Sequence, residues 1–208
     1  GPSPRHTDEF YVSRAKHLYE TYKPKSICLK DVDGLLVSER IRSLIPAMQA
    51  VVGETPLELH MHGMNGLNTY NSVGAMELGI RKFTTCTPPL ASHISVYDII
   101  KNAEEMGIGH TMDVEKLKVI SEKLTKIGKA YGHPVDNHPL PFDLTYYKHQ
   151  VPGGVISNTK TQLEQLGIPE KLQDVLEEIP RVLEDLGHPL MITPTSQFVV
   201  AQAVLNVQ

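Results

Sequence analysis

An α/β fold is predicted for this chain, with parallel βαβ units across the first half and a mainly helical second half. Three observations predict it. Helix-period and strand-period apolar patterns alternate from Thr7 to Thr87, the segments between strands are long enough to hold a helix, and the strand pattern ceases after about Tyr97. Thr7 to Tyr22 places Phe10, Val12, Ala15, Leu18 and Tyr19 at helical spacing, and a strand follows at Ser26 to Leu29. Ser38 is positioned to cap a helix from Glu39, within which Pro46 either bends the helix or restarts it as a first-turn residue. A strand through His60 comes next, then a helix from Thr69 to Leu78 ended by Gly79, then a strand from Lys82 to Thr87.

In the second half, Asp113 to Tyr131 reads as an amphipathic helix with Val114, Leu117, Ile120, Leu124 and Ile127 on one stripe. A Pro/His loop at Pro134 to Pro141 separates it from helices at Asn158 to Leu166, Glu170 to Ile179, Arg181 to Leu186 and Ser196 to Val207. Three or four parallel strands do not close a barrel, and an eight-stranded one takes about 250 residues, so a barrel fold would mean that this chain holds part of it. An open doubly wound sheet is the other arrangement, although no Gly-rich phosphate loop follows the first strand.

The 208 residues, 40% of them hydrophobic, support a real core and exclude disorder. A formal charge of −4 without a Lys/Arg cluster leaves no electrostatic footprint for nucleic acid. No apolar run approaches the roughly 18 residues of a membrane span, and no signal-peptide pattern is seen, so a cytoplasmic location is expected. The two cysteines, Cys28 and Cys86, sit in apolar or strand-like stretches and are expected to be reduced core thiols.

The pair His60 and His62 stands out among ten scattered histidines, most of which, such as His6, His17, His110 and His188, read as surface or capping residues. Strand alternation sends Leu57, Leu59 and Met61 to an apolar layer and Glu58, His60 and His62 to the opposite face. Two neutral imidazoles on one face are able to bind one metal ion; the alternative is a polar strand end whose histidines merely hydrogen-bond. Lys30 lies at the C-terminal end of the first strand, where catalytic groups of parallel barrels collect. Desolvated there, its amine would be neutral and open to carbamylation, giving an anionic oxygen ligand that complements two histidines. The alternative for Lys30 is an ion pair with Asp31 or Asp33, or a stem that snorkels to water.

Six segments occur together in one order: Ser3 to Glu9, Leu29-Lys30-Asp31 through Gly34-Leu35-Leu36, His60-Met61-His62, Tyr147 to Gly154, Ser157-Asn158, and Thr193-Pro194-Thr195-Ser196-Gln197. In these the chain resembles the biotin-dependent carboxyltransferase family, which includes the oxaloacetate decarboxylase α subunit, the transcarboxylase 5S subunit and the carboxyltransferase domain of pyruvate carboxylase. The resemblance implies the C-terminal part of a TIM (β/α)8 barrel over residues 1–110, followed by a mainly helical, funnel-like extension over residues 111–208. It implies a divalent metal, zinc first and manganese or cobalt as alternatives, held by Lys30 as its carbamate, His60 and His62. A further ligand, a first-strand aspartate, has no counterpart here.

By the same resemblance, the Thr193 hydroxyl shuttles a proton between biotin and pyruvate, and Ser196 and Gln197 lie near the biotin ring. Outside that context Thr193 reads as a helix N-cap or turn residue before Pro194. The implied reaction moves a carboxyl group between carboxybiotin and pyruvate or oxaloacetate through a metal-stabilised enolate, in either direction. The chain has no Met-Lys-Met biotinylation site, so biotin is expected on a separate carrier protein or domain. The other expected partners are an N-terminal barrel half or partner chain, a small oxo acid, and further copies of the chain. Two alternative functions remain: a biotin-independent metal-dependent lyase on a related barrel, and a noncatalytic scaffold subunit. The chain departs from the family pattern at Gly63-Met64-Asn65, at Arg81 and Thr84, and at Val200-Ala201.

Overall fold

The computed structural model describes residues 3–63, 65–90, 93–135 and 142–208, so part of the predicted Pro134 to Pro141 loop lies outside the described residues. The chain is α/β. Its elements run α1 (Asp8–Tyr22), β1 (Ile27–Asp31), α2 (Ser38–Val52), β2 (Leu57–Met61), α3 (Asn68–Glu77), β3 (Lys82–Phe83), β4 (Thr85–Cys86), β5 (Ile94–Ser95) and α4 (Val96–Glu105). Among the described residues helices alone follow: α5 (Val114–Ala130), α6 (Tyr146–His149), α7 (Gly153–Gln165), α8 (Leu172–Asp185) and α9 (Thr195–Val207), with a 3-10 turn at Pro169–Lys171.

The strands β1, β2 and β3 form one parallel sheet in that order, with Lys30 opposite His60 in the β1–β2 register. The predicted single strand from Lys82 is two short ones. The Thr84 N–H still reaches the Leu59 carbonyl, after which β4 pairs with β5, an element that the sequence pattern did not reveal. Alternation holds along β1 and β2. Ile27, Leu29, Leu57, Leu59 and Met61 are buried against Ala15 of α1, Ile41, Leu44, Ile45, Met48 and Val52 of α2, and Ala75 of α3. Each such side chain contributes about 1.5–3 kcal/mol on burial. The opposite face carries Cys28 and Lys30, both exposed, with Glu58 and His60 half-buried. Cys28 is therefore a free thiol on the open face rather than a core residue.

A second apolar cluster joins Leu163 of α7, Val175, Ile179, Val182 and Leu183 of α8, and Val199, Val200, Ala203 and Val204 of α9, with Val151 and Met191. Pro180 does not divide α8 in two, as its position in the sequence suggested. Four buried side chains straddle it, and large apolar residues buried in a core are worth about 2–5 kcal/mol each against truncation, more together than the ~3 kcal/mol cost of an interior proline. The same reasoning keeps α2 continuous through Pro46, and Val37 rather than Ser38 occupies its N-cap. Thr7, where the helical pattern was read to begin, is the N-cap of α1 and accepts the Phe10 N–H. On α5 only Leu117 of the predicted stripe is buried, packed with Val96 and Ile100 of α4, while Ile120 and Ile127 are exposed. Among the described residues no helix is long and apolar enough to cross a membrane.

Candidate metal centre and active site

The strand β2 ends at Met61, and the next residue, His62, continues the ladder by donating its N–H to the Asp31 carbonyl at 3.0 Å. That bond holds His60 and His62 side by side at the C-terminal end of the parallel strands. Their Nε2 atoms are 3.2 Å apart. A third imidazole joins them. His93, just before β5, forms an antiparallel backbone bridge with His62, and its Nε2 lies 3.0 Å from that of His60. Among the described residues these three are the group whose donor atoms all fall within 4.8 Å of one another. The pair was expected from strand alternation; His93 was missed, since 31 residues separate it from His62 and no pattern links them.

An imidazole nitrogen presents one in-plane site, either an N–H or a lone pair. His60 Nε2 therefore cannot make full hydrogen bonds to both neighbours, whereas three lone pairs pointed at one cation satisfy all three rings. Burial lowers the pKa of each histidine, to about 4 for His62, and the charges of neighbouring histidines and Lys30 lower those of His60 and His62 further. For His93 the second cause after burial is Lys30. Neutral imidazoles are the form that ligates metal. Lys30 itself is exposed on the open sheet face, so the desolvation expected for its amine is not provided by the described residues of this chain.

The loop after Lys30 is built on a carboxylate. Asp31 accepts the N–H groups of Leu35 and Leu36 at 3.0 and 2.9 Å, and Gly34, at φ 65°, makes the turn that aims them. Asp33 is buried beside it with one carboxylate oxygen unpartnered among the described residues. Burial pushes its pKa up to about 8, and the neighbouring Asp31 adds to the shift. The Asp31 pKa is also raised by burial, although its two N–H bonds oppose this. Asp31, with Lys30, Arg40 and Tyr147, lines a small cavity of about 130 Å³ under this loop.

Asn65, one of the departures from the family pattern, supplies hydrogen bonding of its own. It is buried, accepts the Leu67 N–H, and donates from Nδ2 to the Tyr147 hydroxyl at 3.1 Å, which ties the histidine strand to the helical segment. Arg81, another departure, donates to the Met76 carbonyl in the last turn of α3 and to the Ile80 carbonyl in the turn that follows it. In the Tyr147 to Gly154 motif, His149 is buried and accepts the Val151 N–H at Nδ1, setting the turn into α7. The opening Ser3 to Glu9 motif is also structural. His6 is buried rather than on the surface, bonded to Ser3 and, through its carbonyl, to Arg40.

Thr193 is exposed ahead of the cis Thr193–Pro194 peptide, and Pro194, not Thr193, occupies the N-cap of α9. Gln197 is exposed on the first turn, whereas Ser196 is fully buried with its hydroxyl unpartnered among the described residues. No hydrogen bond among the described residues links these three to the histidines, so the structure brings Lys30, His60 and His62 together and places Thr193, Ser196 and Gln197 at the start of another element.

Residues 146–208 match the family model of a conserved carboxylase domain. Over 210 residues the chain is 34% identical to a pyruvate carboxylase subunit of Methanothermobacter thermautotrophicus, covering 99% of this chain and 36% of that one. It is 32% identical to the methylmalonyl-CoA carboxyltransferase 5S subunit of Propionibacterium freudenreichii, covering 99% of this chain and 41% of the relative. The fold is similar to that of the carboxyltransferase domain of Rhizobium etli pyruvate carboxylase solved with pyruvate and biocytin, at a TM-score of 0.88 and 22% identity, over 98% of this chain and 34% of that domain. The chain thus spans about a third of the length of the first relatives it matches. With the ordered motifs from Ser3 to Gln197, these matches make the chain similar, over nearly its whole length, to part of the pyruvate carboxylase and carboxyltransferase subunits of the biotin-dependent family it resembles.

Proposed function

We propose that this chain is the part of a carboxyltransferase that carries the metal-ligating histidines and the proton-shuttling threonine, acting between carboxybiotin and pyruvate or oxaloacetate. The observation that carries the reading is the convergence of imidazoles beside Lys30 at the C-terminal ends of parallel strands, where barrel enzymes assemble their chemistry. Residues 1–110 supply the C-terminal half of a TIM barrel and residues 111–208 the helical extension over it. The open face bearing Cys28, Lys30 and His60 is then the barrel interior, closed by an N-terminal half from the same polypeptide or a partner chain. In that enclosure Lys30 is desolvated, and its carbamate joins His60 and His62 on a divalent ion.

When bound, the ion supplies Lewis-acid stabilisation of the negative charge that develops on the oxo acid. The Thr193 hydroxyl takes a proton from the pyruvate methyl group and passes one to the ureido nitrogen of the biotin that has released its carboxyl group. Its solvent exposure leaves it free to meet a cofactor arriving on a separate carrier. Ser196 and Gln197, one turn of α9 away, border the ring. The site runs equally in reverse, decarboxylating oxaloacetate.

The test is exchange of labelled carboxyl between oxaloacetate and pyruvate in the presence of biotin carrier. Thr193→Ala should lower exchange by about 10²–10⁴-fold, the range for loss of a positioned acid–base group, with no change in melting temperature. Unchanged exchange would remove the shuttle role. His60→Ala should abolish exchange and bound metal together, and full turnover in that variant would refute the metal assignment.

A further inference from the structure

We propose that His93 is a third imidazole ligand of the divalent ion, completing with His60 and His62 a facial set of three nitrogen donors. This rests on the metal-centre reading and deepens it, because the family resemblance assigns only Lys30, His60 and His62 to the ion. The placement of His93 is fixed by backbone as well as side chain. Its main chain bridges to His62, and its carbonyl faces the Cys86 thiol at 3.2 Å, which pins the residue between the ends of β2 and β4. The His93 ring centroid lies 4.3 Å from that of His62 and 4.7 Å from that of His60.

The nitrogen separations fit an ion. Two ligands at zinc–nitrogen distances with a tetrahedral angle between them stand about 3.3 Å apart, and the observed contacts to His60 Nε2 are 3.2 and 3.0 Å. Three imidazoles leave the remaining coordination positions to oxygen donors, the carbamate of Lys30 among them, and to the substrate. A nitrogen-rich set also narrows the choice of ion, because imidazole suits zinc and its neighbours while manganese favours carboxylate and water oxygens. The centre is accordingly a zinc or cobalt site rather than a manganese site.

X-ray absorption at the zinc edge, on the intact protein with its barrel complete, counts imidazole ligands directly. The expected count is three in the wild type and two in His93→Gln, with zinc affinity in chelator competition reduced about tenfold or more, at least the loss that follows removal of a ligand's supporting partner. Melting curves recorded in excess chelator should match between the two, and His93→Asn should give the same ligand count. Should the variants fail to fold, the wild-type count alone decides. Two imidazoles in both proteins with equal affinity would overturn the role of His93 and leave the His60/His62 centre standing. Absence of bound zinc from the wild type, indistinguishable from His60→Ala, would overturn the centre itself and this inference with it.

Discussion

Replacing Asp33 with asparagine should stabilise the protein at neutral pH and change the pH dependence of its stability. The side chain is buried beside Asp31, and one of its oxygens lacks a partner among the described residues. Asp31 accepts two backbone N–H groups, so the negative charge of the pair resides there and Asp33 keeps the proton. With a folded pKa near 8 against an ordinary value of 3.8, folding takes up a proton between those limits. The folded state then binds more protons than the unfolded state, so stability is full below about pH 4 and declines as pH rises toward 8. At 1.36 kcal/mol per pH unit, the cost at pH 7 is about 4 kcal/mol as an upper figure, since part of the shift belongs to the pair.

Asparagine has nearly the same shape and cannot ionise, so it removes this cost. Urea unfolding of both proteins at pH 5, 6, 7 and 8 should show the advantage of Asp33→Asn growing by about 1 kcal/mol per unit up to pH 7 and levelling off near 8. A difference that does not vary with pH, or a variant less stable than wild type at pH 7, would refute the assignment of the proton to Asp33.

Ile179→Ala, at the fully buried centre of the second apolar cluster, should cost about 2–5 kcal/mol in the same assay; a loss below about 1 kcal/mol would mean that Pro180 leaves α8 loosely packed. Asn71 donates to the Leu36 carbonyl and accepts the Ser38 hydroxyl, so Asn71→Ala should cost about 1–3 kcal/mol and loosen the end of the Asp31 loop, seen as faster amide exchange at Leu35 and Leu36. The Thr193→Ala and His93→Gln variants should separate the two halves of the chemistry, the first losing carboxyl exchange with metal content intact and the second losing metal affinity.

Strand alternation sufficed to place His60 and His62 on one face, because period-two geometry is local and leaves the backbone no choice once Leu57, Leu59 and Met61 are buried. It could not reach His93. That residue is brought in by a backbone bridge between distant segments, and β5, two residues long, gives no periodic signal. A histidine beside the short Ile94-Ser95 strand was the available clue. The break expected at Pro180 has a plain cause: the local cost of the proline is readable from sequence, but the packing that outweighs it is tertiary. The open face was misread for Cys28 because an apolar neighbourhood in sequence says nothing about which side of β1 has a covering layer. The exposed Ile120 and Ile127 of α5 show the converse, a stripe legible in sequence whose covering surface is absent from the described residues.

Asp31 has a double attachment that constrains how this site can be altered. Its carbonyl receives the N–H of His62 while its carboxylate receives those of Leu35 and Leu36, so one residue is the peg on which both the loop and a ligand histidine hang. A change of the Asp31 side chain would remove the loop's anchor but keep the main-chain carbonyl, so the imidazole would shift only as far as the backbone at Asp31 follows the slackened loop. Val32 and Asp33 carry neither attachment. A library seeking a new acceptor acid would therefore vary those two positions and leave the peg untouched.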